Sequence, residues 1–351
     1  MTRVLVLTSS TERRGAEVAA AGLAVALAER GHDTEVLALR AAPDGVPTTG
    51  AEPVPGGIGP DGLWHLYRRC RAADVVVGYG GRTLSVGAVV TAGAPFVYRS
   101  IGDPDAWVTT AARRFRVRMA LGRASRVVAL WDGAAAVFEQ SLNVDPAKTA
   151  VIPTGFDTEV LRPPTEAERA KARTDLGLAD RTACLTIVGA LSEEKCVERA
   201  IDAAAQVPDA VLLVVGDGPL RSALEAHGAR HGDIRFLGAL PDVRPVLHAA
   251  DVITSTSRTE GLQGSLIEAA LCGVPAVATD VGGARTVVAH GKGGELVPDD
   301  VSADDLAAAI VRTLARRNGL GTAARMHAEF HFASAHVVDQ WESLLAEVAG
   351  G

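Results

Sequence analysis

Along the first forty residues the spacing of apolar and polar positions changes period twice. Val4 to Thr8 is an apolar run of strand length, Ala16 to Arg30 places apolar residues at helical spacing and stops at Gly31-His32, and Glu35 to Leu39 is apolar again. This predicts a β-α-β opening. Short apolar runs recur at Asp74 to Gly78, Phe96 to Arg99, Arg126 to Leu130 and Thr149 to Ile152, with helical stretches between them. Runs that are apolar throughout, rather than alternating, predict strands buried on both faces, hence a parallel sheet covered by helices on each side. The turn-rich stretch Pro153 to Pro164 interrupts the pattern, and a second alternation follows. Its strands are expected at Leu185 to Val188, Val211 to Val215, Ile234 to Leu237, Val252 to Ser255 and Ala276 to Ala278. The chain therefore reads as α/β, with two parallel-sheet domains over 1–155 and 156–330. An amphipathic helix in 331–351, running from Phe330 to Val348, is expected to pack back across the linker on the first domain. In open parallel sheets ligands bind beyond the carboxyl ends of the strands, so the expected binding place is a cleft lined by those loops.

Composition narrows the classes. A chain of 351 residues with 48% hydrophobic content can fill two cores, and a formal net charge of −7 argues against a nucleic-acid partner. Cys70, Cys184, Cys196 and Cys272 are scattered, with no ligand spacing to histidine, so neither a metal centre nor a disulfide framework is expected. The amino-terminal apolar run is too short for a signal peptide, and no segment reaches the ~20 apolar residues of a membrane span. A cytosolic chain with no resident cofactor is the expectation.

The chemistry concentrates in Glu260-Gly-Leu-Gln-Gly-Ser-Leu-Ile-Glu268. A strand ends just before it and a helix is expected from Ser265 to Leu271, which puts Glu260 on the loop and Glu268 about one turn inside the helix. Unpaired amides near Gly264 to Leu266 can hold a diphosphate, and each carboxylate can accept hydrogen bonds from vicinal hydroxyls. Two glutamates at a helix start are also common without any ligand.

The surrounding motifs decide between these readings. Arg14-Gly-Ala-Glu17, Gly31-His32, Val151-Ile-Pro-Thr-Gly-Phe-Asp157, Val188-Gly-Ala-Leu-Ser-Glu-Glu-Lys195, Val215-Gly-Asp-Gly-Pro219, Arg235-Phe-Leu-Gly238 and Cys272 to Gly283 occur in the order and spacing of a known family. The chain resembles the retaining glycosyltransferases of the GT-B fold, specifically family GT4. The resemblance implies two facing Rossmann-like domains, an acceptor side in the first and a nucleotide-sugar side in the second. It implies transfer of a sugar from a nucleoside diphosphate donor, UDP by default, to an acceptor hydroxyl. By the same resemblance Glu260 meets the donor sugar, Glu268 the ribose and Lys195 the diphosphate. Gly15 approaches donor or acceptor closely, Gly216 and Gly218 line the nucleotide side, and Phe236, Leu237 and Leu240 hold the base. Gly261, Leu262, Gln263, Gly264, Ser265 and Leu266 form the backbone cradle.

Three positions depart from the family. Ala190 stands where an arginine usually accompanies the lysine, with Arg14 or Arg258 as candidate replacements, and Thr286 stands where an acid follows Gly-Gly. No histidine occurs in Val97 to Asp103, where many relatives carry one facing the sugar. Asp103 is the polar candidate there, to orient or deprotonate the acceptor, although an aspartate before proline equally caps a turn. Asp103-Pro-Asp105 imitates a metal motif of a different transferase fold and is not read as a metal site. Arg113, Arg114, Arg116 and Arg118, interleaved with Phe115, Val117 and Met119, are the one basic concentration, suited to an anionic membrane surface or acceptor and equally to a solvated helix face. Two other functions stay open at this point. One is a sugar-nucleotide epimerase or hydrolase, the other a catalytically weak nucleotide-sugar-binding partner.

Overall fold

The structure, a computed structural model, describes residues 1–12, 15–42, 50–91, 93–179 and 181–350. Two compact units emerge, one built from Met1–Gly155 together with the segment from Ser334 onward, the other from Phe156–Ala333. Arg14 lies outside the described residues.

The first unit carries β1 (Arg3–Thr8), β2 (Asp33–Ala38), β3 (Ala51–Pro53), β4 (Val75–Tyr79), β5 (Phe96–Arg99), β6 (Arg126–Ala129) and β7 (Thr149–Val151). They form one sheet in the order β3-β2-β1-β4-β5-β6-β7, and every pairing is parallel. The second unit carries β8 (Ala183–Val188), β9 (Ala210–Val215), β10 (Asp233–Gly238), β11 (Val252–Ser255), β12 (Ala276–Thr279) and β13 (Gly294–Val297). Their order is β10-β9-β8-β11-β12-β13, again all parallel. In each sheet the chain builds outward in one direction and then returns to build on the other side of its first strand. The reversal falls between β1 and β4 and between β8 and β11, and loops leaving two such strands part to opposite faces and open a crevice.

Burial explains why these runs are strands. Every residue of β4 is buried, as is all of β1 after Arg3. Side chains alternate between the faces, so Val211, Leu213 and Val215 enter one core of the second unit while Leu212 and Val214 enter the other. Two strands lie beyond the sequence expectation, β3 and β13. The first is an edge strand ending in Pro53, and the second opens on Gly294, where a Cβ would stand 2.1 Å from the Ala276 carbonyl. Both lack the apolar run that marks the other strands.

The tail differs from the single helix expected over Phe330 to Val348. Two helices occur, Arg317–Phe332 and Ser334–Gly350, separated by Ala333 in an extended conformation. Phe332 is buried in the second unit, whereas Val338, Trp341 and Leu345 complete a core of the first unit with Val4, Val6 and Val75. Beneath Trp341 lies Arg99, its guanidinium 5.7 Å from the indole and bonded to the Ala129 and Ile152 carbonyls. Burial pushes that guanidinium down to about 10. Among the described residues no helix is long and apolar enough to cross a membrane.

Candidate active site

At the reversal point of the second sheet the loops after β8 and β11 supply the candidate residues. After β8 the chain passes Gly189 and Ala190 and makes a tight turn over Glu193–Lys195, and Cys196 takes a left-handed conformation (φ 46) before the helix Val197–Ala204. The turn is pinned from the neighbouring loop. The Thr256 hydroxyl contacts the carbonyls of Lys195 and Cys196, both at 2.9 Å, and the Arg258 amide donates to the Glu194 carbonyl at 2.8 Å. A fully buried threonine thus sets where Lys195 projects.

Lys195 projects at Glu260. Its Nζ stands 2.5 Å from Glu260 Oε1, and the Ser257 hydroxyl donates to the same oxygen at 2.6 Å. The two side chains are 22% and 10% exposed, so the pair is shielded enough to hold one geometry yet reachable from outside. Glu260 Oε2 receives no hydrogen bond from the described residues. Gly189, Ala190, Lys195, Ser255, Ser257 and Gln263 border a small recess at these strand ends.

The helix Gly264–Leu271 begins immediately beyond. Gln263 occupies the N-cap but does not cap with its side chain, because its Oε1 accepts from Ser255 Oγ at 2.9 Å. The Leu266 amide folds back on the Gln263 carbonyl, and the amides of Gly264 and Ser265 have no acceptor among the described residues. Leu266 and Ile267 are buried and anchor the first turn, so those amides are fixed donors at the positive end of the helix. Glu268 follows one turn in. Among the described residues it has no cation beside it and receives no side-chain bond, and burial, reinforced by the negative charge of Asp242, pushes its carboxyl up to about 7. A desolvated carboxyl group without a partner is a candidate for receiving hydrogen bonds from a ligand.

Two glycine pairs hold this geometry. At Gly216 (φ 134) a Cβ would stand 1.8 Å from the Gly189 carbonyl oxygen, and at Gly218 one would stand 2.5 Å from that of Leu191. The loop after β9 therefore lies directly against the loop that leads to Lys195, and the protein's own packing already requires both glycines. Gly282 and Gly283 do the same for Glu260. A Cβ on Gly282 would fall 2.1 Å from the Glu260 carbonyl oxygen, and the Gly283 amide donates to Gly261 at 3.0 Å. The sequence does not mark Ser257, Thr256 and Gly282 as positioning residues. The Gly-Gly pair after β12 is a visible signal for Gly282 alone.

The other predicted residues are distributed unevenly. Phe236 and Leu237, adjacent on β10, pack against opposite faces of the sheet. Phe236 lies against the core that contains Leu212 and Val214, whereas Leu237 and Leu240 lie against the core that contains Leu266 and Ile267. Only Leu237 and Leu240 thus share a face with the helix of Glu268, which leaves Phe236 its backbone to offer on that side. Gly15 opens the first helix of its unit, and a Cβ there would meet nothing within 4 Å among the described residues. Arg258 is exposed and has no side-chain partner among the described residues. Asp103 belongs to the first unit and caps the short helix Pro104–Trp107, its Oδ1 accepting from the Asp105 amide at 3.0 Å. Burial raises its carboxyl above the ordinary range.

Comparison with known proteins follows the same division. The family model described as Glycosyl transferases group 1 matches residues 182–316, and that described as Glycosyltransferase Family 4 matches residues 13–160. The chain is 34% identical over 235 residues to a D-inositol 3-phosphate glycosyltransferase of Geodermatophilus obscurus, covering 62% of this chain and 51% of that protein. It is 34% identical over 209 residues to a 2-deoxystreptamine glucosyltransferase of Streptomyces kanamyceticus, covering 57% and 52%. The matches thus span about half the length of these curated relatives. Among solved structures, Anabaena HepE in complex with UDP-glucose superposes with a TM-score of 0.84 at 24% identity, covering 99% of this chain and 100% of that one. With both parallel-sheet units matched in sequence and in fold, the chain belongs to the family 4 glycosyltransferases of the GT-B fold.

Proposed function

We propose that the chain is a retaining glycosyltransferase that moves a sugar from a nucleoside diphosphate donor to an acceptor hydroxyl. One observation carries the reading: the shielded Lys195–Glu260 pair stands at the same strand ends as the two unpaired amides of Gly264 and Ser265, with the unpartnered Glu268 one turn beyond. The amides and Lys195 receive the diphosphate, Glu260 Oε2 accepts from sugar hydroxyls, and Glu268 accepts from the ribose. In the transfer the bond from the anomeric carbon to the diphosphate oxygen breaks, a bond to the acceptor oxygen forms on the same face, and the acceptor proton passes to the departing diphosphate. Fixed donors that need no reorganisation stabilise the charge developing there. Asp103 is the first unit's candidate for orienting the acceptor, through its Oδ2. The scheme uses no resident metal or cofactor.

A thermal-shift screen of UDP-, GDP- and ADP-sugars identifies the donor, with UDP-glucose tested first. Turnover is then measured with and without candidate acceptors. Release of free sugar without acceptor supports the hydrolase alternative, an altered sugar in the donor supports the epimerase, and binding without turnover supports a partner protein. Glu260→Ala with undiminished transfer would overturn the site assignment.

The helix Ala111–Leu121 gives the first unit a surface for an anionic membrane. At about 100° per residue, Val117 and Leu121 form its buried stripe, and Phe115 and Met119 fall almost opposite. Those two side chains are 66% and 62% exposed. Arg114 and Arg118 flank them on one side and Arg116 on the other, while Arg113 stacks over Trp107 at 5.5 Å. None of the four arginines has an acidic partner among the described residues. An apolar ridge between unpaired cations fits an interface of anionic headgroups, where each cation contributes about 1 kcal/mol. Vesicles containing phosphatidylglycerol should sediment the protein and phosphatidylcholine vesicles should not. Equal sedimentation with both, or none, would overturn the assignment.

A further inference from the structure

Away from Lys195 and Glu260, the second unit gathers three metal-ligating side chains. Asp202 lies in the helix Val197–Ala204, His227 in the helix Arg221–Gly228, and His231 one turn further, where its amide donates to the Gly228 carbonyl at 2.9 Å. Four residues apart on one winding, the two imidazoles share a face, with 4.7 Å between ring centroids. Both turn Nε2 toward Asp202 Oδ1, at 2.6 Å for His227 and 3.6 Å for His231. One ligand atom from each residue lies within 4.8 Å of the others.

We propose that Asp202, His227 and His231 form a binding site for a divalent transition-metal ion of the zinc type, with water at the open position. Tetrahedral donors about 2.0–2.1 Å from zinc stand about 3.3 Å from one another, so the side chains need to move only slightly. Two imidazoles and a carboxylate are a donor set suited to zinc. The nearby cation does not block it. Arg230 Nη2 is 3.4 Å from His227 Nδ1, and this exposed side chain can swing into solvent when Nδ1 takes the proton that Nε2 must give up.

The site's position gives it a structural consequence. The helix bearing Asp202 starts directly after the Lys195 turn, and the helix bearing His227, with His231 just beyond its end, follows the Gly216–Gly218 loop packed against the segment that leads into that turn. An ion would tie together the two helices whose leading loops support the candidate active site.

The test is isothermal titration of the tag-free full chain with Zn²⁺, together with the visible absorption of added Co²⁺. One ion per chain, a raised thermal midpoint and a tetrahedral Co²⁺ spectrum are expected. His227→Ala and His231→Ala should each weaken binding at least about tenfold, the scale on which even outer-shell losses act, and Asp202→Asn should weaken it too. Circular dichroism checks that the variants are folded. No uptake by the wild-type chain, or equal affinity and stoichiometry in folded His227→Ala and His231→Ala, would overturn the proposal.

Discussion

Replacing Glu268 by glutamine tests the electrostatics of the candidate site without a substrate. Burial moves this carboxyl from the ordinary 4.5 to about 7. A folded-state value above the unfolded one means that the native protein holds the proton more tightly. The stabilisation from that proton is fully present below the unfolded value and is lost as the pH rises through the folded one. At about 1.4 kcal/mol per pKa unit, the ceiling on the change is about 3 kcal/mol, and partial solvent access lowers the expectation to about 1–2 kcal/mol. Glu268→Gln cannot ionise and removes this dependence. The variant should therefore gain stability relative to wild type between pH 5 and pH 8, measured as the difference between urea midpoints at the two pH values. Any constant effect of the amide cancels in that difference. Parallel pH profiles for the two proteins would refute a desolvated, unpartnered carboxyl at this position.

Three further outcomes follow from contacts already described. A double-mutant cycle of Lys195→Met and Glu260→Gln should give a coupling of about 0.5–3 kcal/mol in urea unfolding, the range for residues in direct contact, whereas additivity would deny the pair in solution. Gly216→Ala places a Cβ 1.8 Å from the Gly189 carbonyl at a positive φ, so it should lower the thermal midpoint and weaken nucleotide-sugar binding together. Arg99→Met leaves the Ile152 carbonyl without its buried donor, while the Ala129 carbonyl keeps the Ile152 amide, and should cost about 1–3 kcal/mol, read from urea unfolding.

The sheet strands were legible because burial on both faces demands continuous apolar runs, which Val75 to Val77 and Val211 to Val215 supply. β3 and β13 escaped because an edge strand with proline and a strand opened by glycine owe their places to neighbours rather than to their own pattern. The break at Ala333 escaped for a related reason: both helices are amphipathic, so the apolar positions run on while the cores they serve change. In the site, acids and a lysine announced themselves by type and motif. Their supports did not, because Thr256, Ser257 and Gly282 acquire meaning only from atoms distant in sequence that reach them.

The distribution of the first unit over two stretches of chain sets an order of events during synthesis. Residues 156–333 form their unit from one continuous stretch and can close their cores as soon as they emerge. The unit that begins at Met1 cannot, because Val338, Trp341 and Leu345 emerge only after all of the other unit. Until then the face formed by Val4, Val6 and Val75 has only part of its cover, from Ala20, Leu23, Ala24 and Leu27, a state in which exposed apolar surface invites chaperones or aggregation. Of the two units, the one whose synthesis starts earlier is thus the one that finishes folding later, and chains interrupted before Ser334 should be degraded through that unit.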